Sequence, residues 1–271
     1  MDNSISLLKK RRKIFLLLVV LPVFSLSLIL PVLGFCQKLM DSKLEKMPVD
    51  LERDYALSAL PPHLRRGATV YLLDPAKGYY LAQKGTNGFI CFVTRTEWEW
   101  GEFRKDLTMP ISFDAAGAKA IFPVYQDVAV MRASGKFAAK QIRDIVMDRI
   151  RKGIYKAPSR PGISYMLAPV MRGYPGDPNN KQIMTMSMPH YMFYAPYMNN
   201  SDIGGDQNQG PFVNNPDNTI MGDKKGPYGY IILPAGEAER AKIVNTNSDL
   251  LKRLVAYKSY YAIKPTDGLS K

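Results

Sequence analysis

The sequence predicts an α+β domain: a mixed, mainly antiparallel sheet with packed helices, preceded by an N-terminal membrane or signal helix. Three observations carry this. Short apolar runs bounded by Asn, Gly, Asp and Pro recur between residues 68 and 94, and again beyond Pro158. From Gly135 to Lys152, apolar residues return at spacings of three and four. A basic cluster, Lys9-Lys10-Arg11-Arg12-Lys13, precedes an almost purely apolar stretch from Ile14 to Phe35. With 271 residues, 46% of them hydrophobic, the chain is long enough to bury a sizeable core.

The apolar stretch is long enough to cross a bilayer as a helix, and its basic prefix is the part that stays in the cytoplasm. Three fates are open to it. Signal cleavage fits Val32-Leu33-Gly34, and retention as an anchor fits the length. Lipidation at Cys36 is the third, although Phe35 stands where that motif takes a small residue. Each delivers the remainder outside the cytoplasm, periplasmic and either membrane-anchored or signal-cleaved. The expected organisation is a signal peptide or anchor over 1–35, a polar stalk over 36–60 and a single domain over 61–271. Pro61-Pro62 ends the stalk, because proline lacks a donor and disfavours helix in the residue before it.

A hairpin meander is expected over about 68–94. Ala68 to Leu73 is its first strand, followed by the turn residues Asp74-Pro75-Ala76-Lys77-Gly78. Tyr79 to Gln83 is the second, and Asn87-Gly88 signals a hairpin before Phe89 to Val93. Glu97 to Trp100 reads as a loop. Asp114 caps a helix beginning at Ala115, which Pro123 kinks or restarts. The helix over about 135–152 turns Ala138, Ile142, Ile145, Val146 and Ile150 inward and stops at Gly153. Strands follow at Ile163–Leu167, Gln182–Met188, Tyr191–Ala195 and Tyr228–Leu233. Between the last two lies a long Asn/Gly/Asp/Pro-rich loop, Asn199–Pro227. A final helix follows Ser248, with Leu250, Leu251, Leu254 and Val255 inward.

Composition removes several functions. Two cysteines exclude a disulfide-built scaffold and a four-thiolate zinc site, and two histidines exclude a three-histidine zinc site. The common glycine-rich nucleotide signatures and the serine-hydrolase elbow do not occur. Without residues 1–34 the chain keeps 32 basic and 23 acidic residues. Outside the N-terminal cluster the positive charges are scattered singly and in pairs. The expected partners are therefore the bacterial membrane or anionic envelope components, and no nucleic acid is expected.

Five strings occur together: Gly85-Thr86-Asn87-Gly88-Phe89-Ile90-Cys91, Phe113-Asp114-Ala115-Ala116-Gly117, Arg160-Pro161-Gly162-Ile163-Ser164-Tyr165-Met166-Leu167, Pro189-His190-Tyr191-Met192-Phe193-Tyr194-Ala195-Pro196 and Asp202-Ile203-Gly204-Gly205. In this order, across residues 56–234, they resemble a family of exported bacterial proteins of unknown function. The resemblance implies a signal-bearing, single-domain envelope protein and no established activity. Members of that family often carry a second cysteine just before the Asp-x-x-Gly element, where this chain has Ser112. Cys91 is then left with Cys36 as its possible disulfide partner in an oxidising compartment.

Met184, Met186, Met188, His190 and Met192 occupy every second position, which on a straight strand is one face. Thioether and imidazole suit Cu(I), and the same pair serves as haem axial ligation. The competing reading is core packing, because a half-buried strand needs the same alternation and Pro189 interrupts it. Cys91 and His190, with Asp202 or Asp206 as orienter, form the Cys–His hydrolase alternative. No local feature marks Cys91 as an activated thiolate. Asp202, Asp206 and Asn208 lie in the loop expected to contact a ligand. Asn214, Asn215, Asp217 and Asn218 add calcium-type oxygens without EF-hand spacing. Trp98, Trp100, Tyr191 and Tyr194 offer a glycan-stacking surface, although aromatics on strands are more often core. The expectation is a non-enzymatic envelope protein that binds or scaffolds, with no cofactor, touching its partner through that loop and the region around His190.

Overall fold

The structure is a computed structural model that describes residues 43–174, 182–206, 210–215 and 225–263. The apolar N-terminal stretch and Cys36 lie outside the described residues. Among the described residues no helix is long and apolar enough to cross a membrane.

Residues from Leu44 onward build the expected α+β architecture around an eight-stranded sheet. Its strands are β1 (Thr69–Asp74), β2 (Gly78–Gln83), β3 (Ile90–Thr94), β4 (Met109–Phe113), β5 (Ile163–Met166), β8 (His190–Tyr194), β9 (Phe212–Asn214) and β10 (Tyr230–Pro234). Their spatial order is β2-β1-β3-β4-β5-β8-β10-β9, antiparallel throughout except where β1 meets β3. The remaining strands, β6 (Met171–Gly173) and β7 (Met184–Met186), pair in a small second sheet, and Arg172 of β6 also bridges to Thr108 just before β4.

The meander is the first correction. β1 and β2 form the expected hairpin, but β3 does not extend it beyond β2. The chain crosses the start of β1 and emerges parallel to it, pairing Thr69 with Ile90 and Val70 with Cys91. Gly85 makes the crossing possible, because a Cβ there would fall 2.3 Å from the Gly67 carbonyl oxygen and the Ala68 carbonyl carbon. Asn87 then secures the turn. Its Oδ1 accepts from the Phe89 N–H at 3.1 Å, and its Nδ2 donates to the Leu64 carbonyl at 2.7 Å. Gly88 takes a positive φ of 81°. Asn-Gly encodes the reversal here but not the partner of the strand that follows.

Helices cover both faces. On one lie α3 (Ala115–Ala120), α4 (Phe122–Ala133) and α5 (Ala139–Arg151). Their Phe122, Val124, Val128, Ile142 and Val146 pack with Ile90, Phe92, Phe113, Met192 and Ile232 of the sheet. Asp114 caps α3 as expected, accepting from the Ala116 and Gly117 N–H groups. Pro123 opens α4, and Gly153 ends the α5 segment with a φ of 67°.

On the opposite face lie α1 (Val49–Leu57) and α8 (Ser248–Tyr257), whose Leu51, Tyr55, Leu250 and Leu254 pack with Val70, Cys91 and Val93. This corrects the stalk. Within the described part of residues 36–60, Met47, Leu51, Tyr55, Ala56, Ala59 and Leu60 are buried in the core; Tyr55 is fully buried and its hydroxyl donates to the Val170 carbonyl at 3.0 Å. A narrow apolar stripe of Leu51, Tyr55 and Ala56, hidden among charges, carries that burial. In α8, Val255 is exposed rather than inward. Two short helices, α2 (Pro62–Arg65) and α6 (Asn200–Ile203), one longer one, α7 (Glu237–Thr246), and two 3-10 turns, Ser259–Tyr261 and Trp98–Trp100, the latter where a loop was expected, complete the described elements.

Candidate functional site

Two constellations expected from the sequence are taken apart by the sheet. Cys91 on β3 and His190 on β8 are separated by β4 and β5. At about 4.8 Å per strand spacing they stand roughly 14 Å apart, far beyond a hydrogen bond. They also occupy alternate registers, since the paired row through Cys91 reaches Tyr191, not His190. Cys91 is a fully buried free thiol, and burial pushes its ionisation well above the usual thiol range. His190 is 4% exposed, burial lowers its pKa, and its Nδ1 lies 2.8 Å from the Met188 carbonyl, a donor to that oxygen. The Cys–His hydrolase reading is thereby withdrawn.

The methionine stripe divides at Pro189. Met184 and Met186 belong to β7 in the small sheet, while His190 and Met192 belong to β8 in the large one. Met184 and Met188 are exposed, whereas His190 and Met192 are buried. Alternation without a continuous strand does not give a common face. Among the described residues no three His, Cys, Asp or Glu side chains gather as metal ligands.

In the long loop, Asp202 serves the backbone. Its Oδ2 accepts from the Asn199 N–H at 2.9 Å, closing a capping box at the start of α6. Its Oδ1 meets Lys225 Nζ at 2.8 Å, a contact that holds the carboxyl below its usual range. Asp206 is exposed, and its carbonyl accepts from the Gly210 N–H. Asn208, Asp217 and Asn218 lie outside the described residues. Asn215 is buried and donates to the Met198 carbonyl. The four aromatics do not form one surface. Trp98 and Tyr194 are buried, Trp100 stacks on Tyr174 with centroids 4.1 Å apart, and the Tyr191 hydroxyl donates to Glu239.

What does converge is a node around Asp114, and three of the five strings supply it. Asp114 Oδ1 accepts from Ala116 N–H at 3.0 Å and Gly117 N–H at 2.9 Å. The Tyr194 hydroxyl stands 3.0 Å from both Asp114 Oδ1 and the Ile163 carbonyl, so its proton is shared between two acceptors. Burial keeps that hydroxyl protonated far above neutral pH. Arg160 Nη2 lies 3.7 Å from Asp114 Oδ2. Gly117 and Gly162 are both required by closeness: a Cβ at the first would fall 2.1 Å from Tyr194 Oη, and at the second 2.3 Å from Asp114 Oδ2.

A cleft of about 510 Å³ opens beside this node. Its floor is Ala115, Ala116 and Ala120 of α3 and Pro123 of the α4 start. Its other wall is the segment 154–160, which carries Ile154, Lys156, Ser159 and Arg160. Tyr155 pins that wall, its hydroxyl donating to Asp127 Oδ2 of α4 at 2.6 Å while Arg149 Nη1 bonds both groups. Three cations, Lys119, Lys156 and Arg160, line the cleft, and no acidic side chain does. Such a lining selects for negative charge. The sequence named Arg160 only as part of a string; Lys119 and Lys156 are brought beside it by the fold.

The chain matches no model of a known protein family, no curated protein and no solved structure.

Ser112 has a clear structural meaning. The β3–β4 register sets it directly opposite Cys91, and opposed residues on antiparallel strands have Cα atoms at disulfide distance. We therefore expect the Ser112→Cys chain, with Cys36→Ser to remove the other thiol, to lose two hydrogens in intact mass on mild oxidation. Retention of both hydrogens counts against this register.

Proposed function

We propose that the chain is an exported, non-enzymatic binding domain whose contact site is the cleft beside Asp114, and that its ligand presents an anionic group. The supporting observation is the lining: Lys119, Lys156 and Arg160 over an alanine and proline floor, with no acidic residue in the lining and, among the described residues, only Arg160 near a carboxylate, that of Asp114 at 3.7 Å. The Asp114 node holds the cleft open. It ties the α3 start to Tyr194 and Arg160 without offering a nucleophile or a free base. Export rests on the basic cluster and apolar stretch that precede the domain.

Inorganic pyrophosphate is a suitable probe, since it carries the charge without a larger scaffold. Calorimetric titration of the full chain is expected to show saturable, salt-sensitive binding. Lys119→Ala with Lys156→Ala, which leaves the Asp114 node intact, is expected to weaken it at least about tenfold, because charge-assisted hydrogen bonds contribute about 1.5 kcal/mol or more each. An unmodified chain that takes up no pyrophosphate, or a double variant that binds it equally well, overturns the reading.

A further inference from the structure

Positive charge that occurs only singly and in pairs along the chain is nevertheless in surplus in one segment, which the fold makes into one layer. Residues 115–160 hold ten Lys and Arg against three Asp, whereas 44–114 hold nine basic against ten acidic residues and 161–271 hold eleven against nine. The charged span is the layer of α3, α4 and α5 with the cleft wall that follows. Its apolar side faces the sheet through Phe122, Val128, Ile142 and Val146. Lys119, Lys136, Lys140, Arg151, Lys152 and Lys156 are exposed. Two of its three acids are already engaged: Asp127 by Arg149 and Tyr155, and Asp148 by Lys152. The layer also carries Ile154, 62% exposed and the most exposed large apolar side chain among the described residues, and Val130 at 52%, beside the Gly78 turn.

We propose that this helical layer docks onto the surface of an anionic lipid bilayer, with lipid phosphates meeting the lysines and arginines and Ile154 and Val130 entering the headgroup zone. The proposal rests on the reading that the cleft takes an anionic group, and adds that this group is carried by a membrane lipid. Arg132 is turned inward onto the Arg95 and Arg104 carbonyls and Arg149 is paired with Asp127, but the exposed lysines and arginines that remain are the complement of an anionic leaflet, where each basic residue near the surface contributes about 1 kcal/mol. Protruding aliphatic side chains gain from an acyl boundary and gain nothing from a phosphodiester backbone. No aromatic side chain is exposed on the layer to stack on bases: Phe122 and Tyr155 are buried, and Tyr125 and Phe137 are partly so. The lipid surface therefore fits better than nucleic acid.

The test uses the full chain, reconstituted in vesicles and carrying Cys36→Ser and Ile154→Cys with a fluorophore at the new thiol; Cys91 is buried and stays unlabelled. Vesicles are phosphatidylcholine with or without phosphatidylglycerol, each containing brominated lipid as a contact quencher. Quenching is expected to be roughly threefold or more stronger with phosphatidylglycerol and to fall at high salt, since the attraction is screened within a Debye length. Lys136→Glu, Lys140→Glu and Arg151→Glu together are expected to abolish that difference while leaving pyrophosphate binding intact. The intact titration shows that the variant is folded and that the cleft reading stands on its own. Equal quenching in both vesicles, no quenching in either, or displacement of the probe from the lipid by duplex DNA overturns the proposal. If pyrophosphate binding fails as well, the cleft reading falls with it.

Discussion

Gly117→Ala is expected to destabilise the domain by about 3 kcal/mol, although alanine is the better helix former by about 1 kcal/mol. Gly117 lies within α3 and is buried. A Cβ at this position meets Tyr194 Oη at 2.1 Å, Tyr194 Cζ at 2.7 Å and Phe113 Cβ at 3.0 Å. Tyr194 cannot swing aside freely, because its hydroxyl is held between Asp114 and the Ile163 carbonyl and its ring packs in the core. Overpacking of this kind costs about 1–3 kcal/mol, and losing the hydroxyl's bonds inside the protein adds about 1–3 kcal/mol more. Tyr194→Phe removes the closest atom and leaves Cζ. The double variant Gly117→Ala/Tyr194→Phe is therefore expected to be more stable than the sum of the two single changes, by roughly 1 kcal/mol in a urea-denaturation cycle. Strict additivity would show that the two residues do not meet. The same substitution tests the site: moving the start of α3 displaces Ala115 and Ala116 from the cleft floor, so pyrophosphate affinity is expected to fall although no ligand-facing charge has changed.

The elements most legible in the sequence are those specified locally. α5 is written in its own periodicity, its stop in Gly153, the α3 start in Asp114 and the restart of the helix in Pro123. What was not legible depends on which strand lies beside which. Asn87-Gly88 announces a reversal in any topology, and only the passage of Gly85 over the β1 start turns a meander into a parallel pairing. The alternation from Met184 to Met192 looks like one face until the chain leaves one sheet for another at Pro189. Tyr55 shows the reverse error: a segment rich in Lys, Glu and Asp reads as a solvated stalk, yet Met47, Leu51, Tyr55, Ala56 and Leu60 dock it. The candidate site followed the same rule. Asp114, Arg160, Gly162 and Tyr194 all stood in strings that drew attention, but 80 residues separate Asp114 from Tyr194, and no spacing rule connects them. Charge is different: its surplus already lies in one stretch, residues 115–160, and the fold adds only that these residues form one helical layer.

Glu52→Gln is expected to stabilise the domain at pH 8 by about 3 kcal/mol and to leave it almost unchanged at pH 4. Glu52 is 2% exposed on α1, and its Oε1 accepts from the Leu73 N–H at 2.8 Å. Burial is the dominant influence and pushes its pKa up to about 7, against the opposing pull of that hydrogen bond and of Arg95 and Lys46. Between the unfolded value near 4.5 and the folded value near 7, the folded state binds the extra proton. Stability is then greatest below pH 4.5 and declines as pH rises to 7, and the loss is complete above that. At about 1.4 kcal/mol per pK unit, the shift accounts for the 3 kcal/mol. Glutamine keeps an acceptor for Leu73 and never ionises, so it escapes the penalty. Glu97, raised by burial and by Glu99, bends the wild-type pH profile in the same direction. For that reason the decisive quantity is the difference between variant and wild type at each pH, in which Glu97 cancels. A difference that grows from near zero at pH 4 to its full size by pH 8 identifies Glu52 as the group buried with its charge. A difference constant in pH would mean that Glu52 is solvated, and with it that α1 does not dock on the sheet.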